Sequence, residues 1–164
     1  MDDFAQLVRG ESRGLIAAVQ AIVGDRSRAE EIVQDAFEKG YRSWWRVSRL
    51  DRPGAWVRRV AINEAISGGR RRASEDRAVA RLTALAATGP GSDPLAALDD
   101  EGVWAAVRAL PDDQASAIAL RYGADLGVED IAQTLGVSVP AVKSLLHRGR
   151  ASLRGSEQLQ SYVS

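Results

Sequence analysis

Apolar side chains recur at three- and four-residue spacing through most of this chain, and no stretch alternates as a half-buried strand would. In residues 4–23, Leu15, Ile16, Val19, Ile22 and Val23 fall on one broad face, and Gly24 follows as a stop. Ser27 with Glu30 three residues on has the form of a capping box, which predicts a second helix carrying Ile32, Val33, Phe37 and Tyr41. The stretch "VSRLDRPG" (47–54) predicts a loop, with Asp51 as N-cap and Pro53 in the first turn of a third helix. That helix should turn Trp56, Val57, Val60 and Ala61 inward and end, frayed, near Ser67, where Gly68 and Gly69 weaken it.

Residues 74–93 break the pattern. "TGPGSDP" (88–94) is a Gly/Pro/Ser interruption after an Ala-rich stretch that has no strong stripe. Residues 78–93 therefore read as a flexible linker with some helical character. Beyond it, Asp93 and Pro94 can start a helix containing Val103, Trp104 and Val107, and Leu110-Pro111 ends that helix and opens another through Ile118, Leu120 and Tyr122. The expected fold is all-α, with small helical domains at 1–77 and 94–164.

Two last helical stretches, "VEDIAQTLG" and "SVPAVKSLLHRGRASL", are separated only by "GVS", the sequence form of a helix-turn-helix. Ala132 is small enough for the second helix to cross it, and Gly136 can take the positive φ that reverses the chain. Ile131, Leu135, Val137, Val142 and Leu146 would close a miniature core, with Ser138 as N-cap and Pro140 tolerated in the first turn. At about 100° per residue from Val142, Lys143, His147, Arg150 and Arg154 form one stripe at about 80–140°. Such a helix can lie in a major groove, with its N-terminal residues at base edges. The alternative is a helical hairpin with a solvated basic face; the coincidence of the small residue, the Gly turn and the apolar registers favours DNA binding. Leu145, at about 300°, lies on the shoulder of the apolar face, where it either completes the packing or stays exposed.

Charge changes the picture by its placement. The 164 residues hold 22 Lys+Arg against 22 Asp+Glu, a total that argues against nucleic-acid binding. Yet residues 42–72 carry nine Arg against Asp51 and Glu64, and residues 138–154 carry Lys143, Arg148, Arg150 and Arg154 with no acid. Two separated basic patches can each act locally in a neutral chain. A composition 45% apolar and 27% charged is that of an ordinary globular protein. No apolar run reaches the length of a membrane helix, so the cytoplasm is the expected location and no membrane insertion is expected. One His and no Cys exclude disulfides and leave no constellation for catalysis or a metal, so neither an enzyme nor a cofactor is expected.

The stretches "AEEIVQDAFEKGYRSW", "AWVRRVAINEAISGGRRR" and "LPDDQASAIALRYGADLGVEDIAQTLGVSVPAVKSLLHRGRASL" together resemble the extracytoplasmic-function sigma factors of bacterial RNA polymerase. The resemblance covers both expected domains. It implies that Glu30, Glu31, Ile32, Val33, Gln34, Asp35 and Phe37 dock on a coiled coil of the polymerase's largest subunit. It implies that the loop with Val47, Ser48 and Arg49 captures a base flipped from the −10 element. Asn63 would line the melted strand, and Arg58, Arg59, Arg70, Arg71 and Arg72 would hold phosphates. Ser138, Pro140, Ala141, Lys143, Ser144, His147, Arg148 and Arg150 would read the −35 element. Trp44 and Trp45 are open to two roles, stacking platform or core; Trp56 reads as core. The chain departs from the family pattern at Ser67 to Gly69, at Gly127 in place of a Ser/Thr cap, and at Ala141 and Leu145 in the reading helix.

The expected function is that of a promoter-specificity subunit whose partners are core polymerase, promoter DNA and an anti-sigma protein. An autonomous helix-turn-helix regulator with a helical N-terminal sensor domain is the alternative. A polymerase-binding adaptor that does not touch DNA is a third class.

Overall fold

The structure, a computed structural model, describes residues 2–83 and 100–155, with side chains over 3–68 and 102–155. Among these the chain is helical throughout, without strands. The first helix, α1 (Asp2–Val23), stops at Gly24, whose φ of 79° turns the chain into an extended residue, Asp25. Asp25, not Ser27, caps α2 (Arg26–Arg42): its carboxylate accepts the Ser27 N–H at 3.2 Å. The expected capping box does not form, because the turn at Gly24 brings the extended position two residues earlier. Glu30 then pairs with Arg26 at 2.9 Å.

A four-residue helix, α3 (Trp44–Val47), takes in the first residue of the expected loop and seals Val47 completely. Pro53 opens α4 (Pro53–Thr83), whose first intrahelical bond runs from the Trp56 N–H to the Arg52 carbonyl at 3.3 Å. Arg52 rather than Asp51 thus holds the cap position. The helix does not end at Ser67; it runs through Gly68 and Gly69 and into the segment expected to be linker. Glycine inside a helix costs only about 1 kcal/mol each, too little to stop a 31-residue helix. The expected helix start at Asp93-Pro94 lies outside the described residues.

The C-terminal part contains α5 (Asp100–Arg108), α6 (Asp112–Ile118), α7 (Val128–Leu135) and α8 (Val139–Arg154). Between α6 and α7 a π-helical turn, Ala119–Gly123, continues the helix and leads into Asp125, the one described non-Gly residue with positive φ. One hydrophobic core joins all of this. It runs from Leu15 and Val19 through Ile32 and Val57 to Val107, Ile118, Leu120, Ile131, Val142 and Leu146. The α6–π segment lies along α1, and α7 lies against α4. The two expected halves are packed together rather than held apart.

Candidate nucleic-acid interface

The helix-turn-helix is built as its residues require. Gly136 takes φ 70° and ψ 35°, the left-handed conformation that only glycine adopts without strain, and its N–H closes on the Ala132 carbonyl. Ser138 leaves the turn extended, and its hydroxyl accepts the Ala141 N–H at 3.2 Å. Pro140 sits in the first turn. Val142, Leu146 and Gly149 are buried, which fixes the rotation of α8. Ser138, Pro140, Lys143, Ser144, His147 and Arg148 are thereby exposed, with Ala141 half-buried. Arg150 is half-buried and donates to the Tyr122 hydroxyl at 2.8 Å, which aims its guanidinium. Leu145 packs on the core shoulder and lines a crease shared with Ile62 and Ile66 of α4.

The second basic patch is arranged differently from the expectation. Ser48, Arg49, Arg59 and Asn63 are exposed, but Val47 is 0% and Arg58 only 5% exposed. Val47 is a core side chain and cannot touch a base in this conformation. Arg58 is held from two sides: its Nε donates to Thr134 Oγ1 of α7 at 2.9 Å, and Nη1 meets Glu11 Oε1 of α1 at 2.6 Å. The guanidinium of Arg59 lies against the turn at Gly136. Asn63 opens into the crease of about 290 Å³ that Leu135, Val137 and Leu145 bound from the other side. Arg70, Arg71 and Arg72 lie on the α4 backbone, and their side chains are outside those described.

The acidic helix separates cleanly into two faces. Glu30, Glu31, Gln34 and Asp35 are exposed on α2, while Ile32, Val33 and Phe37, the last 8% exposed, face the core. Phe37 therefore serves packing rather than presenting itself to a partner. Arg26 and Arg28 pair with Glu30 and Glu31 at 2.9 and 3.4 Å on the surface, pairs worth well under about 1 kcal/mol each. Trp44 and Trp45 divide the two roles open to them. Trp44 packs edge-on against Phe4 at 5.3 Å, whereas Trp45 is 69% exposed. Sequence reasoning missed Glu11, Thr134 and the pair of Arg52 with Asp130 at 3.1 Å. Their partners lie 47 to 78 residues away, so no local pattern could reveal them.

No group of three or more His, Cys, Asp or Glu among the described residues could hold a metal, and none of their helices is long and apolar enough to cross a membrane. Two chemically distinct surfaces are thus exposed: the basic, acid-free face of α8 and the face of α2 that carries Glu30, Glu31 and Asp35.

Residues 7–75 match the family model described as sigma-70 region 2, and residues 100–153 match sigma-70, region 4. The chain is 30% identical to the RNA polymerase sigma-E factor of Streptomyces avermitilis, over 97% of this chain and 86% of that one. It is 27% identical to the ECF RNA polymerase sigma factor SigW of Bacillus subtilis, over 93% and 88%. In fold it resembles the sigma factor RpoE crystallised with the anti-sigma factor NepR from Bartonella quintana, with a TM-score of 0.68, 23% identity and 98% of each chain covered. The chain belongs to the extracytoplasmic-function branch of the sigma-70 family.

Proposed function

We propose that this chain directs core RNA polymerase to particular promoters, docking through α2 and opening the −10 region while α8 fixes the complex at −35. The observation that carries this reading is α8. Its cap at Ser138 and its buried Val142, Leu146 and Gly149 leave an acid-free basic face standing clear of the protein. Support for the docking role comes from the exposed Glu30, Glu31, Gln34 and Asp35, since an acidic face repels DNA and suits a basic partner. Ser48, Arg49, Arg59 and Asn63 supply the amide and guanidinium groups that a melted strand needs. Two modules, 1–77 and 94–164, would divide these tasks across a linker at 78–93, so that two modest contacts on one polymerase gain affinity by effective concentration. The action is that of an initiation factor in the cytoplasm rather than an enzyme, and an anti-sigma protein is the expected inhibitor.

Run-off transcription on genomic fragments, with core polymerase and with or without this protein, tests the reading. Promoter-specific transcripts that depend on the protein are expected. Tight duplex binding without polymerase, and no such transcripts, would favour the autonomous regulator. Asn63→Ala is expected to keep duplex binding and impair opening, seen as lost permanganate reactivity of −10 thymines; undiminished reactivity removes Asn63 from that role.

A further inference from the structure

Among the described residues beyond 100, Tyr122 is the only exposed aromatic side chain, 53% open to solvent. A close helix crossing sets its position. Gly149 of α8 is buried, and a β-carbon there would stand 3.0 Å from Ile118 Cγ1 at the end of α6. That approach carries the π turn, a few residues on, alongside the next residue of α8, Arg150. Arg150 Nη1 donates to the Tyr122 hydroxyl at 2.8 Å, a contact between residues 28 apart in sequence. Arg121 helps to hold the ring: its guanidinium carbon lies 6.0 Å from the ring centroid, and its Nη1 donates to the Leu126 carbonyl at 3.2 Å. The π turn itself is closed by the Ala124 N–H on the Ala119 carbonyl at 3.2 Å, and such turns recur at functional sites.

The partner of Arg150 differs in kind from those of other arginines. Arg26, Arg42, Arg52 and Arg58 each meet a carboxylate, which neutralises the charge as it fixes the side chain. A phenol fixes the guanidinium and leaves its charge whole. One N–H of the guanidinium fork is used on Tyr122, so the others remain for the oxygens of a phosphate. A hydroxyl that accepts from a cation is itself polarised, which makes its own O–H a better donor. On α8, Arg150 lies at about 80°, the edge of the basic stripe next to the π turn.

We propose that Tyr122 and Arg150 clamp one backbone phosphate of the −35 duplex, with Tyr122 acting as a positioning residue from outside the reading helix. This rests on the reading of α8 as the helix that meets the −35 element. In the clamp, the free guanidinium N–H groups of Arg150 and the O–H of Tyr122 donate to oxygens of the same phosphate. Because the arginine is aimed before DNA arrives, little side-chain freedom is lost on binding. A phosphate contact carries no sequence information, but it fixes the register and orientation of the helix. The clamp therefore sets how Lys143, Ser144 and His147 meet the base edges.

Phosphate contacts are independent of sequence, so the full chain can be titrated with a fluorescein-labelled DNA duplex of mixed sequence, followed by anisotropy over a range of salt. Arg150→Ala should make the slope of log binding constant against log salt shallower by about 0.9, the share of one phosphate. Tyr122→Phe removes no charge and keeps the ring, so its urea midpoint should not shift. It should nevertheless weaken duplex binding by about threefold to tenfold, the loss of one hydrogen bond. Its salt slope should become shallower by about 0.5 or more, because an arginine no longer aimed displaces fewer counterions. The double variant Y122F/R150A should bind within about twofold of Arg150→Ala alone, since the two groups act as one unit. A hydroxyl with only a structural role would leave the salt slope where it is. A Tyr122→Phe protein with the parent's slope and affinity overturns the proposal, and so do losses that add in full in the double variant. Run-off transcription judges the sigma-factor reading separately. Promoter-specific transcripts from the unaltered chain with an unmoved slope in Tyr122→Phe reject the clamp alone. No transcripts, with the slope moved as expected, reject that reading and leave the clamp on a DNA-binding protein of another kind.

Discussion

Trp44 and Trp45 are neighbours in sequence and opposites in environment. One packs its ring edge-on against Phe4; the other stands in solvent on a short helix anchored by the sealed Val47. An exposed ring in a stretch that also carries Arg42, Arg46 and Arg49 offers a base a face to stack on. Trp44→Ala should therefore destabilise the fold by about 2 kcal/mol, below the range for a fully buried large aromatic because the ring is half-buried. Trp45→Ala should stay within about 0.5 kcal/mol of the parent in urea unfolding. Its loss should appear in binding, weakening capture of an unpaired strand by about 1 kcal/mol or more in fluorescence titration. Equal effects of the two substitutions on stability would contradict this division. Composition and spacing could not separate the two rings, because both lie in the short helix α3 and which one faces Phe4 of α1 depends on a contact 40 residues away.

At the scale of elements, the two helices of the reading motif are capped unequally. Ser138 caps α8 with a side-chain hydrogen bond, while Gly127 starts α7 with extended dihedral angles and no side chain to offer. A β-carbon at Gly127 meets nothing within 4 Å. Gly127→Ser should add a few tenths of a kcal/mol, and Ser138→Ala should remove about 1 kcal/mol, both read as shifts of the urea midpoint. Ser138→Ala should also lower −35 duplex affinity, because a frayed first turn disorders Pro140, Ala141 and Lys143 together. These caps were legible in the sequence because each acts over three residues. The same local reasoning failed at Ser27, where a positive-φ glycine moved the cap to Asp25, and at Gly68, where local helix weakness did not end α4. Short-range rules identify which residues prefer a role; they do not decide which of two adjacent candidates the chain geometry selects. The candidate site shows the same limit. The exposed face of α8 followed from periodicity, whereas the burial of Arg58 depends on Glu11 and Thr134, distant partners that no window of sequence contains.

For the whole molecule, the shared core sets how the chain should unfold. Leu15, Val57, Ile118 and Ile131 belong to one buried cluster although they come from both halves, so neither half is fully covered without the other. Heat should therefore melt the parent chain in a single calorimetric transition, with agreement between the calorimetric and van't Hoff enthalpies. Gly123→Val places a branched side chain where the Ala18 backbone stands 3.2 Å from the first added carbon. Backbone on the helix α1 cannot move aside as a flexible side chain would, so the relief available is separation of the π turn from α1. The variant should then melt in two transitions, the lower one below the parent's, and scattering should show a larger radius of gyration. It should retain the exposed basic face of α8, because Val142, Leu146 and Gly149 are held from within the C-terminal half by Ile118 and Leu110 as well as by each other. Duplex binding that survives while the halves come apart would identify the interface at Gly123 as a joint between two folded units. A single lowered transition with duplex binding lost would mean that the halves fold only together.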